Sequence, residues 1–113
     1  MLPRMTTTSS DPDRIAQVLR GYRDEPVPDG DIVLLLLDEQ VCWHVDGLAD
    51  HWDAEQTETV VQVLTEATSS VLVAVARPQS QLLDSDFALW RDLHAGLRDT
   101  PVQLLPLRAL PAA

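Results

Sequence analysis

Two uninterrupted apolar runs, at residues 32–37 and 71–76, dominate the pattern of hydrophobic and polar positions along this chain. Runs of this length, bounded by polar residues, are typical of strands that are covered on both faces of a sheet. Residues 41–45 alternate between apolar and polar side chains, and only residues 38–40 link them to the first run. The sequence therefore predicts a β-hairpin over residues 32–45 and a second buried strand at residues 71–76.

Three segments have the spacing of amphipathic helices. The first follows Asp11, a capping residue, and Pro12, which fits the first position of a helix. The second begins at Asp53 with a pattern similar to a capping box, and the third begins at Asp84 or Ser85, either of which can cap it. Their apolar faces comprise Ile15, Val18, Leu19 and Tyr22, then Val60, Val61, Val63, Leu64 and Ala67, then Phe87, Trp90, Leu93 and Leu97.

A last apolar segment, at residues 102–107, predicts a final strand, and Pro106 places it at a sheet edge or at a strand end. The order of elements is then helix, strand, strand, helix, strand, helix, strand. This order predicts an α/β fold: a single, three-layer-like domain with a mixed central sheet of about four strands and with three helices. At 113 residues the chain fits one domain, which we expect over residues 11–113 after a flexible tail at residues 1–10.

The charge balance narrows the expected range of partners. The net charge is −10, from 18 acidic residues against 8 basic ones, all of which are arginine. Excess negative charge repels phosphate backbones and anionic lipid headgroups, so we expect neither nucleic acid nor a membrane as partner. A protein partner or self-association is expected instead. Usage rich in arginine, alanine and aspartate without lysine is typical of GC-rich bacterial genomes.

The single cysteine and the composition of residues 1–10 indicate the cellular compartment of the protein. Cys42 is the single cysteine, which excludes an intramolecular disulfide and a four-cysteine zinc site. Residues 1–10 contain no apolar core of a secretory signal, and the run at residues 32–37 is too short to cross a bilayer. We therefore expect a cytoplasmic protein.

The second buried run ends in Val-Ala-Arg-Pro at residues 75–78, and Ser85 and Asp86 follow at the start of the next predicted helix. This arrangement resembles the JAB/MPN-type metalloproteases and their bacterial RadC-like relatives. In that family a hairpin and a helix precede a buried strand that ends in His-x-His-Pro, and a loop with serine and aspartate opens the next helix. The resemblance extends from the hairpin at residue 32 to the strand predicted to end at residue 107, and it includes the Leu-Leu pair at residues 104–105.

The zinc ligands are the point at which this chain departs from the family pattern. The resemblance implies two histidines at the positions of Val75 and Arg77, and a carboxylate at Asp86 or Asp84. Zinc in such sites needs two neutral imidazoles, a carboxylate and an open position for water. Val75 has no ligand atom, and the fixed positive charge of Arg77 repels a cation. The resemblance therefore implies a pseudoenzyme-like domain without metal or cofactor, which binds a partner and does not catalyse a reaction.

Five residues are candidates for contact with a ligand or partner: Arg77, Ser85, Asp86, Trp43 and Trp52. Arg77, at the end of a buried strand, is expected either to form a structural ion pair or to bind an anionic group. Trp43 and Trp52 flank the end of the hairpin, where they either close the core or expose an apolar patch to a partner.

Two alternatives assign other roles to the chain. His44, His51 and Asp50, near Asp53, form a cluster of histidines and carboxylates that could hold a metal ion at the hairpin end. The same three residues together with Asp38 form the non-standard site that a small hydrolase would use. This hypothesis requires all four side chains to converge in one pocket. The other alternative is a regulatory α/β domain that binds a small ligand, which would stabilise the fold on binding.

Overall fold

The computed structural model describes residues 4–5, 27–37 and 41–112, which form one mixed β-sheet and two helices. The strands are β1 (Arg4–Met5), β2 (Ile32–Leu36), β3 (Val41–Val45), β4 (Ser70–Arg77), β5 (Gln103–Leu104) and β6 (Arg108–Pro111). The helices are α1 (Ala54–Ala67) and α2 (Asp84–Leu97), with short 3-10 turns at Leu48–His51 and Pro78–Ser80. The predicted α/β class is confirmed. The helix that the sequence predicts after Asp11 lies outside the described residues.

The sheet runs in the order β1, β3, β2, β4, and both β5 and β6 pair with the far side of β4. β2 and β3 form the predicted hairpin, in which Leu34 lies opposite Trp43. β2 is also antiparallel to β4, whereas β5 and β6 are parallel to β4. The parallel direction is explained by α2, which carries the chain back along the sheet before β5 begins. The mixed sheet predicted from the sequence is therefore confirmed.

Strand β1 lies within the segment that the sequence assigns to a flexible tail. Arg4–Met5 pairs with β3, so that Arg4 lies opposite Cys42 and Met5 lies opposite Val41. The rest of residues 1–10 lies outside the described part of the chain.

The predicted single strand at residues 102–107 is wrong in its extent. Gln103–Leu104 forms β5, the chain leaves the ladder at Pro106, and Arg108–Pro111 then forms β6 further along β4. Proline has no N–H to donate to a ladder, so the strand is interrupted there. The sequence does not reveal β6, because the prolines within and before this segment argue against a strand.

The central position of β2 and β4 explains their uninterrupted apolar sequences, because both faces of these strands are buried. Alternate residues point to opposite faces. On one face they pack against α1 and α2, in a cluster that includes Leu64 and Leu89. On the other face the buried residues are Val33, Leu35, Leu37, Cys42, Leu72, Ala74 and Ala76, with Val27 and Leu110 beside them. Arg77 continues the helix-covered face at the end of β4, where the candidate site begins.

Candidate functional site

Arg77, the last residue of β4, is buried and forms a two-point ion pair with Asp86 on α2. Its Nε donates to Oδ2 of Asp86 at 2.9 Å, and its Nη2 donates to Oδ1 at 2.7 Å. Asp86 is fully buried, with 0% of its surface exposed. Paired contacts of this kind match the fork of a guanidinium to the two oxygens of a carboxylate, and they are short, charge-assisted hydrogen bonds.

Asp86 also fixes the start of α2, in a way that corrects the prediction. The sequence predicts Asp84 or Ser85 as the capping residue, but the helix begins at Asp84 with Leu83 at the capping position. A leucine side chain cannot accept a hydrogen bond, and Oδ2 of Asp86 instead accepts one from the backbone N–H of Leu83 at 2.8 Å. Ser85 is exposed in the first turn. One carboxylate therefore holds both the end of β4 and the start of α2.

Two further carboxylates reach Arg77 from the solvent side. Its Nη1 donates to Oδ1 of Asp50 at 2.9 Å and to Oδ1 of Asp29 at 3.3 Å, and both aspartates are half exposed. The turn at Gly30, where φ is 89°, brings them together, because the N–H of Ala49 donates to the carbonyl of Gly30. The positive φ favours glycine at residue 30, and a Cβ there would also force the Asp50 carboxylate to move from its present position.

We call Arg77 and its three carboxylate partners the Arg77 network; its contacts keep the arginine charged and enclosed. Hydrogen bonds to the Asp86 carboxylate, and then those to Asp50 and Asp29, raise the pKa of Arg77 above its already high ordinary value, against the opposing effect of burial. All three guanidinium nitrogens donate to carboxylates. Arg77 and Asp86 thus form a buried ion pair, in which the side chains of both residues are enclosed.

A second group of polar side chains, the hairpin-end cluster, consists of Asp31, His44 and Asp46 at the open end of β2 and β3. Nε2 of His44 lies 2.6 Å from Oδ2 of Asp31 and 3.7 Å from Oδ1 of Asp46. The side chain of Asp31 is 3% exposed, whereas that of Asp46 is 92% exposed. The backbone N–H of Gly47 donates to Oδ1 of Asp31 at 2.7 Å. The cluster therefore extends from a buried carboxylate out to solvent.

The register of the hairpin explains this cluster. Ile32 pairs with Val45 and Val33 pairs with His44, so the next step of the register places residue 31 opposite residue 46. Opposite residues of a ladder point to the same face, as do alternate residues of one strand. The sequence marks Asp31 only as the polar boundary of a strand, and without the hairpin register the cluster is not apparent.

The alternative set of His44, His51 and Asp50 is not brought together in this way. Asp50 belongs to the Arg77 network, whereas His44 belongs to the hairpin-end cluster. His51 is exposed on the 3-10 turn, and no hydrogen bond or ion pair of the described residues links it to the other two. In the part of the chain that the structure describes, the hairpin-end cluster is the one group of three potential ligands whose atoms lie within 4.8 Å of one another. Asp38 lies outside the described residues.

Trp43 and Trp52 are both partly buried against the core, and they line different clefts on either side of α1. The Trp43 cleft, of about 220 Å³, lies between the hairpin and α1, and its walls include Val60 and Val63. Trp52 lines a more open cleft between α1 and α2, and its indole N–H is buried without a hydrogen-bond partner in the described structure. The two rings therefore do not form one continuous patch.

No family model, curated protein or solved structure matches this chain. None of the helices in the described ranges is long and apolar enough to cross a membrane.

Proposed function

We propose that this chain is a non-catalytic binding domain of RadC/MPN-like fold that recognises a protein partner. The order of elements supports this fold: a hairpin, a helix, a buried strand ending in Arg-Pro, and a short loop into a helix whose first turn contains Asp86. A parallel strand then follows that helix. The single cysteine and the arginine-only basic composition support a bacterial, cytoplasmic protein.

The observation that carries the proposal is the ion pair between Arg77 and Asp86. By strand alternation, Val75 and Arg77 point to the same face of the sheet, and the resemblance implies zinc ligands at these two positions. In this chain a guanidinium with a fixed charge faces the remaining carboxylate, and both oxygens of Asp86 accept hydrogen bonds from it. This arrangement supports a domain whose metal position is filled by a side-chain cation.

A binding role requires an accessible surface, and the Trp43 cleft offers one. Its lining is apolar apart from Gln56 and Thr59, and Val63 at its rim is 39% exposed. An aromatic ring and an exposed valine beside an open cleft fit the anchor pocket of a protein interface. The volume of about 220 Å³ is below the range of about 300–1,000 Å³ that is typical of small-molecule sites. It therefore favours an inserted side chain over a metabolite.

The charge of α1 indicates which residues of the partner lie next to the inserted side chain. Helix α1 carries exposed Glu55, Glu58 and Glu66, and it contains no basic residue. Together with the net charge of −10, this surface attracts basic groups and repels nucleic acid and anionic membranes. We expect the partner segment to insert one large apolar side chain beside Trp43 and to carry arginine or lysine next to it.

The test compares two variants of α1 that introduce the same charge at different places. Val63→Glu puts a carboxylate on the rim of the cleft, and Thr65→Glu puts one on the opposite, exposed side of the helix. Wild-type protein and both variants are immobilised, exposed to an extract of the source cells, and compared by mass spectrometry. We expect the wild type and Thr65→Glu to retain the same partner, and Val63→Glu to retain about tenfold less, or about 1.4 kcal/mol of binding free energy.

Equal retention by the two variants would mean that the partner binds elsewhere. If no partner is retained, and the purified protein instead catalyses a hydrolysis that depends on the hairpin-end cluster, the non-catalytic proposal is wrong. Circular dichroism of each variant checks that the helical content of the protein is unchanged.

A further inference from the structure

The hairpin-end cluster is a feature that the proposed binding role does not use. We propose that Asp31, His44 and Asp46 bind a divalent transition-metal ion, for which Zn²⁺ is the best match. The site lies at the open end of β2 and β3 and shares no side chain with the Arg77 network. It therefore goes beyond the proposed function, and it can be tested independently.

The ligand atoms have the chemistry and the spacing of a metal site. One imidazole nitrogen and two carboxylate oxygens, one atom from each residue, lie within 4.8 Å of one another. Zinc sites with three protein ligands use imidazole nitrogen and carboxylate oxygen, with water at the fourth position. Ca²⁺ and Mg²⁺ prefer oxygen ligands, and Ca²⁺ takes a larger number of them, so the imidazole favours a transition metal.

The buried carboxylate of Asp31 is an independent reason to expect a cation. Burial of a carboxylate is costly unless positive charge and hydrogen bonds compensate for the lost water. Asp86, which is as deeply buried, faces the guanidinium of Arg77. Asp31 contacts the imidazole of His44 and the backbone N–H of Gly47, neither of which carries a fixed charge. A metal ion held by the neutral imidazole would supply the positive charge that this carboxylate needs.

The arrangement allows a metal ion to enter with little movement. Nε2 of His44 and Oδ2 of Asp31 are 2.6 Å apart, which is a hydrogen-bond distance. A zinc ion bound to both at about 2.0–2.1 Å would replace the shared proton and widen their separation to about 3.3 Å in tetrahedral geometry. Asp46 is exposed and can rotate to complete the ligand set. Gly47 holds the other oxygen of Asp31, as a second partner of a metal ligand commonly does.

The experiment is a calorimetric titration of the metal-free, untagged 113-residue chain with ZnCl₂, repeated for four variants. We expect the wild type to bind one Zn²⁺ per chain. His44→Gln and Asp46→Asn each remove a ligand, and each should weaken binding about tenfold or more. The controls are His51→Gln, an exposed histidine beyond the same hairpin, and Asp84→Asn, an exposed aspartate outside the cluster. Both controls should bind Zn²⁺ as the wild type does.

Asp46→Asn makes the result interpretable, because Asp46 is 92% exposed and its replacement should leave the fold intact. Co²⁺ gives a second measurement: visible absorption of the bound ion is expected with the wild type and with Asp84→Asn, and should be lost in His44→Gln. No Zn²⁺ binding by the wild type, or equal binding by the ligand variants and the controls, overturns the proposed site. Either outcome leaves the proposed binding role unchanged, because that role is tested at Val63.

Discussion

A buried guanidinium needs a carboxylate that is equally buried, and this requirement makes Asp86 the main partner of Arg77 at the end of β4. Asp50 and Asp29 contact the same guanidinium but remain half exposed. Solvent can replace a half-exposed partner, whereas loss of a buried one leaves an uncompensated charge. Because folding raises the pKa of Arg77, its contribution to stability is fully present below the unfolded pKa and is lost only as the pH rises through the higher folded value. We therefore expect no loss of this contribution at neutral pH.

Asp86→Asn should accordingly lower the free energy of unfolding by about 3–5 kcal/mol. Asp50→Asn removes a half-exposed partner of the same guanidinium and should lower it by about 1 kcal/mol or less. Urea denaturation at pH 7, followed by circular dichroism, measures both changes. Asp84→Asn is the control, because Asp84 is exposed in the same helical turn as Asp86. Similar decreases in the free energy of unfolding for Asp86→Asn and Asp50→Asn would contradict the claim that Asp86 is the main partner of Arg77.

The sequence predicts the role of a single residue in this protein more readily than the side chains that it contacts. The place of Arg77 at the end of an apolar strand indicates an ion pair. Asp86 lies only nine residues further along the chain, so the sequence offers it as a possible partner. Asp29 and Asp50 lie 48 and 27 residues away, and the turn at Gly30 is what brings them to the guanidinium. The same turn leads directly into the hairpin-end cluster, so a single short segment supplies carboxylates to both groups.

The two helices meet where α2 has its one glycine. A Cβ at Gly96 would lie 2.7 Å from Cγ2 of Val61 on α1. Glycine inside a helix costs about 1 kcal/mol relative to alanine, and for this reason the sequence alone argues against a stable last turn of α2. This contact explains why residue 96 is glycine, because the two helices approach too closely there for a larger side chain.

Gly96→Ala should therefore destabilise the protein despite its better helix propensity. The expected cost of overpacking is about 1–3 kcal/mol, against a gain of about 1 kcal/mol in propensity. In a Val61→Ala background the contact is relieved, and the same substitution should be neutral or stabilising. A double-mutant cycle by urea denaturation measures this coupling. Strictly additive effects of the two substitutions would mean that the contact with Val61 is not what makes alanine costly at residue 96.

Elements of this fold are predictable where local sequence and burial agree. The two central strands follow from their apolar runs. Asp53 caps α1 as the sequence predicts, and its side chain accepts a hydrogen bond from the N–H of Gln56 at 2.8 Å. β6 and the start of α2 depend on tertiary contacts instead. β6 forms along β4 although it ends in Pro111, and α2 begins after Leu83 because Asp86 accepts from its N–H while paired with Arg77.

At the scale of the whole described molecule, the sheet brings the two clusters to the same end. Ile32 lies opposite both Val45 and Val75, so the start of β2, the end of β3 and the end of β4 are adjacent. The predicted hairpin makes β2 and β3 neighbours, but the apolar runs alone do not reveal that β4 pairs with β2, so the adjacency of all three strand ends could not be predicted. The two clusters balance a buried carboxylate differently: one has a fixed guanidinium, and the other has an imidazole to which our proposal adds a metal ion. In the proposed RadC/MPN-like fold, the guanidinium of Arg77 stands at a position to which the resemblance assigns a zinc ligand, facing the carboxylate of Asp86.

The proposed RadC/MPN-like fold therefore predicts that two imidazoles on β4 would create a zinc site with Asp86. We expect Val75→His/Arg77→His, in a His44→Gln background that disables the hairpin-end cluster, to be stabilised by about 2.7 kcal/mol at Zn²⁺ a hundredfold above the dissociation constant. Thermal unfolding with and without Zn²⁺ measures this. Arg77→His alone, in the same background, supplies a single imidazole and should gain much less. Equal stabilisation of the two variants by the same concentration of Zn²⁺ would contradict the fold proposal. In the proposed fold, both histidines of β4 and Asp86 of α2 are needed to bind the ion.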